Sequence, residues 1–363
     1  MVLAGGGTGG HIYPGLSVAA ALRQAMAERG EDLRLLYIGV KGRVDEVVVP
    51  REGIPFETVA AGQLRVSSPL TFVRNAVRLL WGSGQAVRLL RRFRPNVVFA
   101  TGGYSSVPVG VAARVLRRPL VVYLPDVTPG WAVRLLSRLA TVMATTSERA
   151  LDHLPRGKTR VVGYPVRDAF WAIDRRTARE RLDLPLDAKV VLITGASLGA
   201  ARINEAVAEA LPSLVEQGYV VHLTGPAKGG AAEQARARLP EAMRARYRPY
   251  EYLDDMPAAM HAADLVISRA GASVLGELPA AGVPAILVPG EYEGWSQEPN
   301  ARYLEDVGAA VVLRNAELDR LPAVVAALLE DEVRLARMGE AARGLARPNA
   351  ARDLAALLSE VAA

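Results

Sequence analysis

The chain has 363 residues, 50% of them hydrophobic and 23% charged, and its 33 Gly and 23 Pro follow no collagen-like period. Wholesale disorder is excluded, and at roughly 100–200 residues per domain the length predicts two or three domains. With no Cys, disulfide frameworks, thiolate metal sites and cysteine nucleophiles are excluded as well. The formal charge is +6, and only four of the 44 basic residues are Lys, a balance that suits nucleic acid, an anionic membrane surface or a phosphorylated substrate.

Met1 to Ala4 reads as a short opening strand. Further β-branched runs follow at Leu33–Gly39, Asn96–Thr101, Leu120–Leu124, Thr141–Thr145 and Arg160–Gly163, with amphipathic stretches between them. After the polar stretch Asp174–Lys189 the alternation restarts with Val190–Thr194, Tyr219–Thr224, Asp264–Ser268, Ala285–Pro289 and Ala309–Leu313. Strands alternating with helices predict α/β domains with parallel, doubly wound sheets. Both series open alike, with a strand, a small-residue turn and a helix, so two Rossmann-like halves are expected, over residues 1–164 and 165–345. A last helix, Asn349 to Val361, lies beyond the second series and could pack on either half. No apolar run reaches the roughly 18 residues of a bilayer span, and the opening strand is no signal peptide, so a cytoplasmic protein is expected.

Gly5-Gly6-Gly7-Thr8-Gly9-Gly10 matches G-x-G-x-x-G, the turn that seats a pyrophosphate on a helix N-terminus. A dinucleotide enzyme would also end its second strand on an acid, but that strand ends Tyr37-Ile38-Gly39-Val40-Lys41, which disfavours NAD. His11, just after the turn, has the side chain of a general base, although a capping or merely packed His fits the same position. Gly102-Gly103-Tyr104 forms a second glycine turn at a strand's carboxyl end, where open α/β sheets bind ligands. Gly195-Ala196-Ser197-Leu198-Gly199 forms a third, whose amides and helix dipole would stabilise a diphosphate leaving group. After the strand ending at Ser268, Ala272-Ser273-Val274 leads to Glu277, a carboxylate able to accept both hydroxyls of a ribose. Arg167 sits near the junction of the halves, where a guanidinium could grip phosphate. Ser296, Gln297 and Asn300 form a polar set able to read sugar hydroxyls. No Asp-x-Asp and no metal-ligand spacing occurs, so a metal-free site is expected.

Between Thr58 and Pro125 there are ten Arg and no Asp or Glu. Within this stretch Leu70, Phe72, Leu80 and Trp81 accompany Arg74 and Arg78, a basic and apolar combination that lies on anionic lipid. A core-facing amphipathic helix with a solvated Arg face would read similarly. Nucleic-acid binding is disfavoured, because no aromatic platform accompanies the charge.

Taken together, Gly6-Gly7-Thr8-Gly9-Gly10-His11 with Pro14-Gly15-Leu16, Gly102-Gly103-Tyr104-Ser105, Gly163-Tyr164-Pro165-Val166-Arg167, Gly195 to Ala200 with Arg202, and Arg269-Ala270-Gly271-Ala272 leading to Glu277 resemble the MurG family nearly end to end. That resemblance implies a GT-B architecture, two Rossmann-like domains facing a cleft, and an inverting, metal-free transfer of N-acetylglucosamine from UDP-N-acetylglucosamine to an undecaprenyl-pyrophosphoryl-MurNAc-pentapeptide at the cytoplasmic face of the membrane. It implies donor contacts at Arg167, Ser197, Leu253 (through its backbone), Ala272, Ser273, Val274, Glu277, Gln297 and Asn300. It implies acceptor contacts at Thr8, Gly9, Gly10, Gly102, Gly103 and Tyr104, and a membrane patch at the arginine-rich segment. Where the family carries His-Glu-Gln-Asn, this chain has Leu124-Pro125-Asp126-Val127, so the general base is expected to be His11, with Asp126 as its orienting group or as the base itself. Ser296 stands where a Gln is common, and Ser273-Val274 replace a bulkier pair. A different lipid acceptor, a UDP-sugar epimerase and a non-catalytic membrane scaffold are the other readings these residues allow.

Overall fold

The central apolar runs become strands buried on both faces, while the edge strands that close the two sheets are only partly buried. β1 (Val2–Ala4), β4 (Val98–Ala100) and β5 (Leu120–Leu124) are buried along their whole length. In a computed structural model, residues 1–7, 9–64, 68–195, 201–225, 229–292 and 295–363 are described. The chain divides into two units, Met1–Arg167 with Arg347–Ala363, and Asp168–Ala346.

The first unit runs β1, α1 (Gly9–Glu28), β2 (Leu36–Gly39), α2 (Asp45–Arg51), β3 (Phe56–Thr58), α3 (Pro69–Phe93), β4, α4 (Val107–Val115), β5, α5 (Trp131–Leu139), β6 (Val142–Thr145) and β7 (Thr159–Val161). Its seven strands lie in the order β3-β2-β1-β4-β5-β6-β7, with every neighbouring pair parallel. Period-2 alternation splits the core into two layers. Val2, Ala4, Val98, Ala100 and Val122 face Leu79, Leu90 and Leu136 of α3 and α5, while Leu3, Phe99, Val121 and Tyr123 face Ile12, Leu16 and Leu22 of α1.

The second unit runs α6 (Arg175–Arg181), β8 (Val190–Thr194), α7 (Ala201–Gln217), β9 (Tyr219–Leu223), α8 (Gly229–Arg238), α9 (Glu241–Arg244), β10 (Tyr247–Tyr250), α10 (Met256–Ala262), β11 (Leu265–Ser268), α11 (Val274–Ala281) and β12 (Ala285–Leu287). A two-residue ribbon of β13 (Glu291–Tyr292) and β14 (Trp295–Ser296) precedes α12 (Glu298–Asp306), β15 (Ala310–Val312), α13 (Leu321–Glu330) and α14 (Glu332–Gly344). Its six-stranded parallel sheet has the order β10-β9-β8-β11-β12-β15. The last helix, α15 (Ala350–Ala362), returns to the first unit and packs on α1 through Leu354, Leu357 and Leu358.

In both sheets the strand order reverses beside the first strand of the unit, between β1 and β4 and between β8 and β11. Such switch points open a crevice at the strands' carboxyl ends, where ligands of doubly wound sheets bind. Three elements differ from the sequence reading. The edge strands β3 and β10 emerge without an apolar run, because an edge strand is half solvated and Glu57, Arg248 and Pro249 are tolerated there. The polar stretch after Asp174 is a structured part of the second unit. Asp174 caps α6 by accepting from the Thr177 N–H at 2.8 Å, and the buried Arg179 pairs with Asp264 at 2.9 Å while donating to the carbonyls of Ala262 and Pro185.

Candidate active site

The first switch point gathers the two glycine turns of the first unit around one imidazole. His11 lies in the first turn of α1, behind β1, and its Nδ1 is 2.7 Å from the carbonyl oxygen of Thr101, the residue after β4. A carbonyl only accepts, so Nδ1 carries the proton of this bond, and in the Nδ1–H tautomer it is Nε2 that presents the ring's lone pair. Gly102 and Gly103 follow with φ of 87° and 76°, a conformation that side chains resist. Their missing Cβ atoms also admit the ring, since a Cβ on Gly102 would stand 3.3 Å from His11 Cε1. Ser106 Oγ, 2.9 and 2.8 Å from the carbonyls of Gly102 and Gly103, fastens the turn from behind.

Around this centre, Tyr104 opens a short 3-10 turn, and its hydroxyl accepts from Arg43 at 2.9 Å. The Gly10 carbonyl accepts from Tyr164 at 3.3 Å. Gly9 and Gly10 begin α1. Asp126 is buried just beyond β5, two strands from β1 in the sheet. Arg167 ends the first unit with its guanidinium 4.9 Å from the centre of the Tyr13 ring, a cation–π contact. Thr8 and Ser197 lie outside the described residues.

The second switch point is built from the turn after β11. Ala272 and Val274 are buried, Ser273 and Glu277 half-buried, and Glu277 sits in the first turn of α11 with its N–H on the Ser273 carbonyl at 2.8 Å. α12 is stitched to this turn. Asn300 Nδ2 donates to the Ala270 carbonyl at 3.0 Å, and Gln297 Oε1 accepts from the Gly290 N–H at 2.9 Å. Gln297 Nε2 faces Gly271, 3.6 Å from where a Cβ would stand. Ser296 Oγ accepts from the Glu298 N–H at 3.1 Å, so of the polar set it is Ser296 that supports the helix start. Leu253 is half-buried in the loop between β10 and α10.

One contributor escaped the sequence reading, and another entered it only as part of a motif, without a role. The Thr101 carbonyl that orients His11 is a backbone group, and no side-chain pattern announces it. Arg269 donates to the carbonyls of Val288 and Pro289 and to Asn315 Oδ1 at 2.8 Å, tying the turn after β11 to that after β12. Its position beside Ala270-Gly271 was the only available signal.

On α3 the inward stripe is narrow, comprising Asn75, Leu79, Gly82, Ala86 and Leu90. Leu70, Phe72, Val73, Val77, Leu80 and Trp81 are exposed, with Leu70 at 80% and Leu80 at 75%, and Arg74 and Arg78 are exposed among them. Among the described residues no helix is long and apolar enough to cross a membrane.

Comparison with known proteins identifies these parts. Residues 1–145 match the glycosyltransferase family 28 N-terminal domain and residues 190–356 the glycosyltransferase family 28 C-terminal domain. The UDP-N-acetylglucosamine--N-acetylmuramyl-(pentapeptide) pyrophosphoryl-undecaprenol N-acetylglucosamine transferase of Roseiflexus sp. is 39% identical over 98% of this chain and 93% of its own length. The transferase of the same name from Desulforudis audaxviator is 36% identical over 100% and 98%. The crystal structure of Acinetobacter baumannii MurG superimposes with a TM-score of 0.75 at 26% identity, covering 99% of this chain and 98% of that one. With two parallel-sheet units of the GT-B type and this likeness along nearly its whole length, the chain belongs to the MurG family of glycosyltransferase family 28, the UDP-N-acetylglucosamine-dependent N-acetylglucosamine transferases of peptidoglycan synthesis.

Proposed function

We propose that the chain carries out its family's transfer, of N-acetylglucosamine from UDP-N-acetylglucosamine to the lipid-linked MurNAc-pentapeptide (lipid I, giving lipid II), with His11 as general base. The acceptor's 4-hydroxyl gives its proton to His11 Nε2 as its oxygen attacks the anomeric carbon. The bond from that carbon to the UDP oxygen breaks, and the configuration inverts. The observation that carries this reading is the 2.7 Å bond from His11 Nδ1 to the Thr101 carbonyl, which leaves Nε2 free to accept a proton without any rearrangement. The carbonyl takes the place that a carboxylate holds in other His bases, and Asp126 is the alternative proton acceptor.

Donor binding falls to the turn after β11. Glu277 accepts the ribose hydroxyls, and Ala272, Ser273, Val274, Gln297 and Asn300 frame the nucleotide and sugar. Leu253 offers its backbone to the base, and the family resemblance assigns the diphosphate to Arg167 and Ser197. The turns at Thr8, Gly9, Gly10, Gly102, Gly103 and Tyr104 receive the acceptor. Exposed Leu70, Phe72, Leu80 and Trp81 with Arg74 and Arg78 seat the enzyme on an anionic membrane as a peripheral protein, since the acceptor is a lipid.

Steady-state kinetics with lipid I and calorimetry with UDP test the assignment. His11→Ala is expected to lower kcat by about 10²–10⁴-fold with donor affinity nearly intact. Glu277→Ala is expected to weaken donor binding while the variant stays folded. A normal kcat in the first variant removes His11 from the mechanism. A normal UDP affinity in the second removes the ribose contact, and conversion of UDP-N-acetylglucosamine to an epimeric UDP-sugar without acceptor would favour an epimerase.

A further inference from the structure

Beneath the first glycine turn lies an acid that the transfer reading leaves unused. Asp45, the first residue of α2, is wholly buried. Its carboxyl fills a space that Gly6 and Gly39 leave open, since a Cβ on either would collide with Oδ2. Above it the Gly6 carbonyl packs on Gly103, 3.2 Å from where a Cβ would stand, and the His11 ring lies on Gly102 and Gly103 in turn. Asp45, Gly6, Gly103 and His11 are therefore one continuous stack. A second line of contact runs beside it, for Thr101 presses its Oγ1 against Gly5 while its carbonyl holds His11, and the Tyr37 hydroxyl reaches the same glycine at 3.3 Å from its Cβ position.

Tyr37 Oη, Thr101 Oγ1 and both Asp45 oxygens are buried, and none has a hydrogen-bond partner among the described residues. The amides of Gly7 and Val40 face the Asp45 carboxyl without reaching hydrogen-bond geometry. Polar groups buried in this way lower stability, so their gathering under one turn marks a requirement other than stability.

We propose that Asp45 is a positioning residue for the transfer reaction, bracing the first glycine turn from below so that Gly103 and the Thr101 carbonyl hold His11 in its productive orientation. The proposal rests on the reading of His11 as base. Burial raises the Asp45 carboxyl's pKa against the opposing pull of its own amide, those of Gly7 and Val40, and the Arg43 charge, and the buried Tyr37 is raised by its own burial and by Asp45. Asn keeps the shape of the Asp45 side chain and one oxygen able to accept from the amides around it.

The test combines steady-state kinetics with ¹⁵N NMR of the His11 ring in the full chain. Asp45→Ala is expected to lower kcat about 10–100-fold, the loss that a displacement of about 1 Å brings, with donor KM close to unchanged. It is also expected to turn a single Nδ1–H tautomer into a mixture. Asp45→Asn is expected to restore both readouts, and Asp45→Ser is read in the same way as Asp45→Ala if the latter does not fold. A folded Asp45→Ala or Asp45→Ser variant with the parent's tautomer overturns the proposal, whatever its kcat. If His11→Ala keeps its kcat, the base reading fails by itself, and the tautomer in the Asp45 variants still decides whether Asp45 positions the ring.

Discussion

His11 and His222 show how position assigns two imidazoles different work. His222, on β9, is buried with Nδ1 2.8 Å from the Tyr247 hydroxyl and Nε2 3.1 Å from Asn204 Oδ1. Asn204 spends its amide nitrogen on the Thr224 carbonyl at 2.8 Å, so its oxygen accepts from Nε2–H and Nδ1 accepts from Tyr247. Both ring nitrogens are satisfied in the neutral form, and burial lowers the pKa to about 4. The unfolded chain binds its proton near pH 6.5, so this residue's stabilisation is complete above that pH and is lost as pH falls towards 4. In urea melts the parent is expected to lose on the order of 3 kcal/mol more than His222→Gln between pH 7 and pH 4. Equal losses would show that the ring is not held neutral. At this scale the sequence was informative where a side chain does the work and silent where backbone or burial does. The places of His11 and Glu277, after glycine and small-residue turns, were legible, and their roles stand as proposed. The Thr101 carbonyl was not, and Asp45, between Val44 and Glu46 at a helix start, reads as an ordinary solvated acid.

Among elements, α3 departs furthest from ordinary core logic. Its buried stripe is one residue wide per turn, and the rest of its N-terminal half pairs exposed apolar side chains with Arg. A helix folding only against its own sheet would not place Leu70, Leu80 and Trp81 in water, because apolar area buried elsewhere contributes about 25 cal/mol per Å². Flotation with anionic vesicles checks the lipid reading. Arg74→Glu with Arg78→Glu is expected to lower partitioning at least tenfold, from about 1 kcal/mol lost per Arg, and Leu80→Glu with Trp81→Glu to lower it further. Since all four side chains point outward, the melting temperature should stay close to the parent's, and unchanged partitioning would reject the membrane role. This element was legible because composition alone carries it. The edge strands β3 and β10 were not, since half-solvated strands such as Tyr247-Arg248-Pro249-Tyr250 lack the apolar run by which central strands are recognised.

For the whole molecule, the path of the chain matters more than any one contact. The second unit is a contiguous insertion, residues 168–346, between the body of the first unit and its last helix. α15 presents Leu354, Ala355, Leu357 and Leu358 on its apolar side, and these are buried in the layer that also holds Ile12, Leu16 and Leu22 of α1. The surface ion pair of Arg160 with Glu360, at 2.8 Å, adds little, because both partners are more than half exposed. Anchorage therefore comes from the apolar face, and Leu354→Ala is expected to destabilise the first unit by about 2–5 kcal/mol. The core of the second unit draws on none of these residues. In the same variant, UDP affinity measured by calorimetry below the first unit's melting point should match the parent's, while proteolysis of the first unit accelerates. A fall in UDP affinity that tracks the loss of stability would mean that the two cores do not fold independently. The sequence left this helix able to join either half, because an amphipathic face of Ala and Leu fits any layer of a doubly wound sheet. Only the position of the free apolar edge beside α1 decides where it goes.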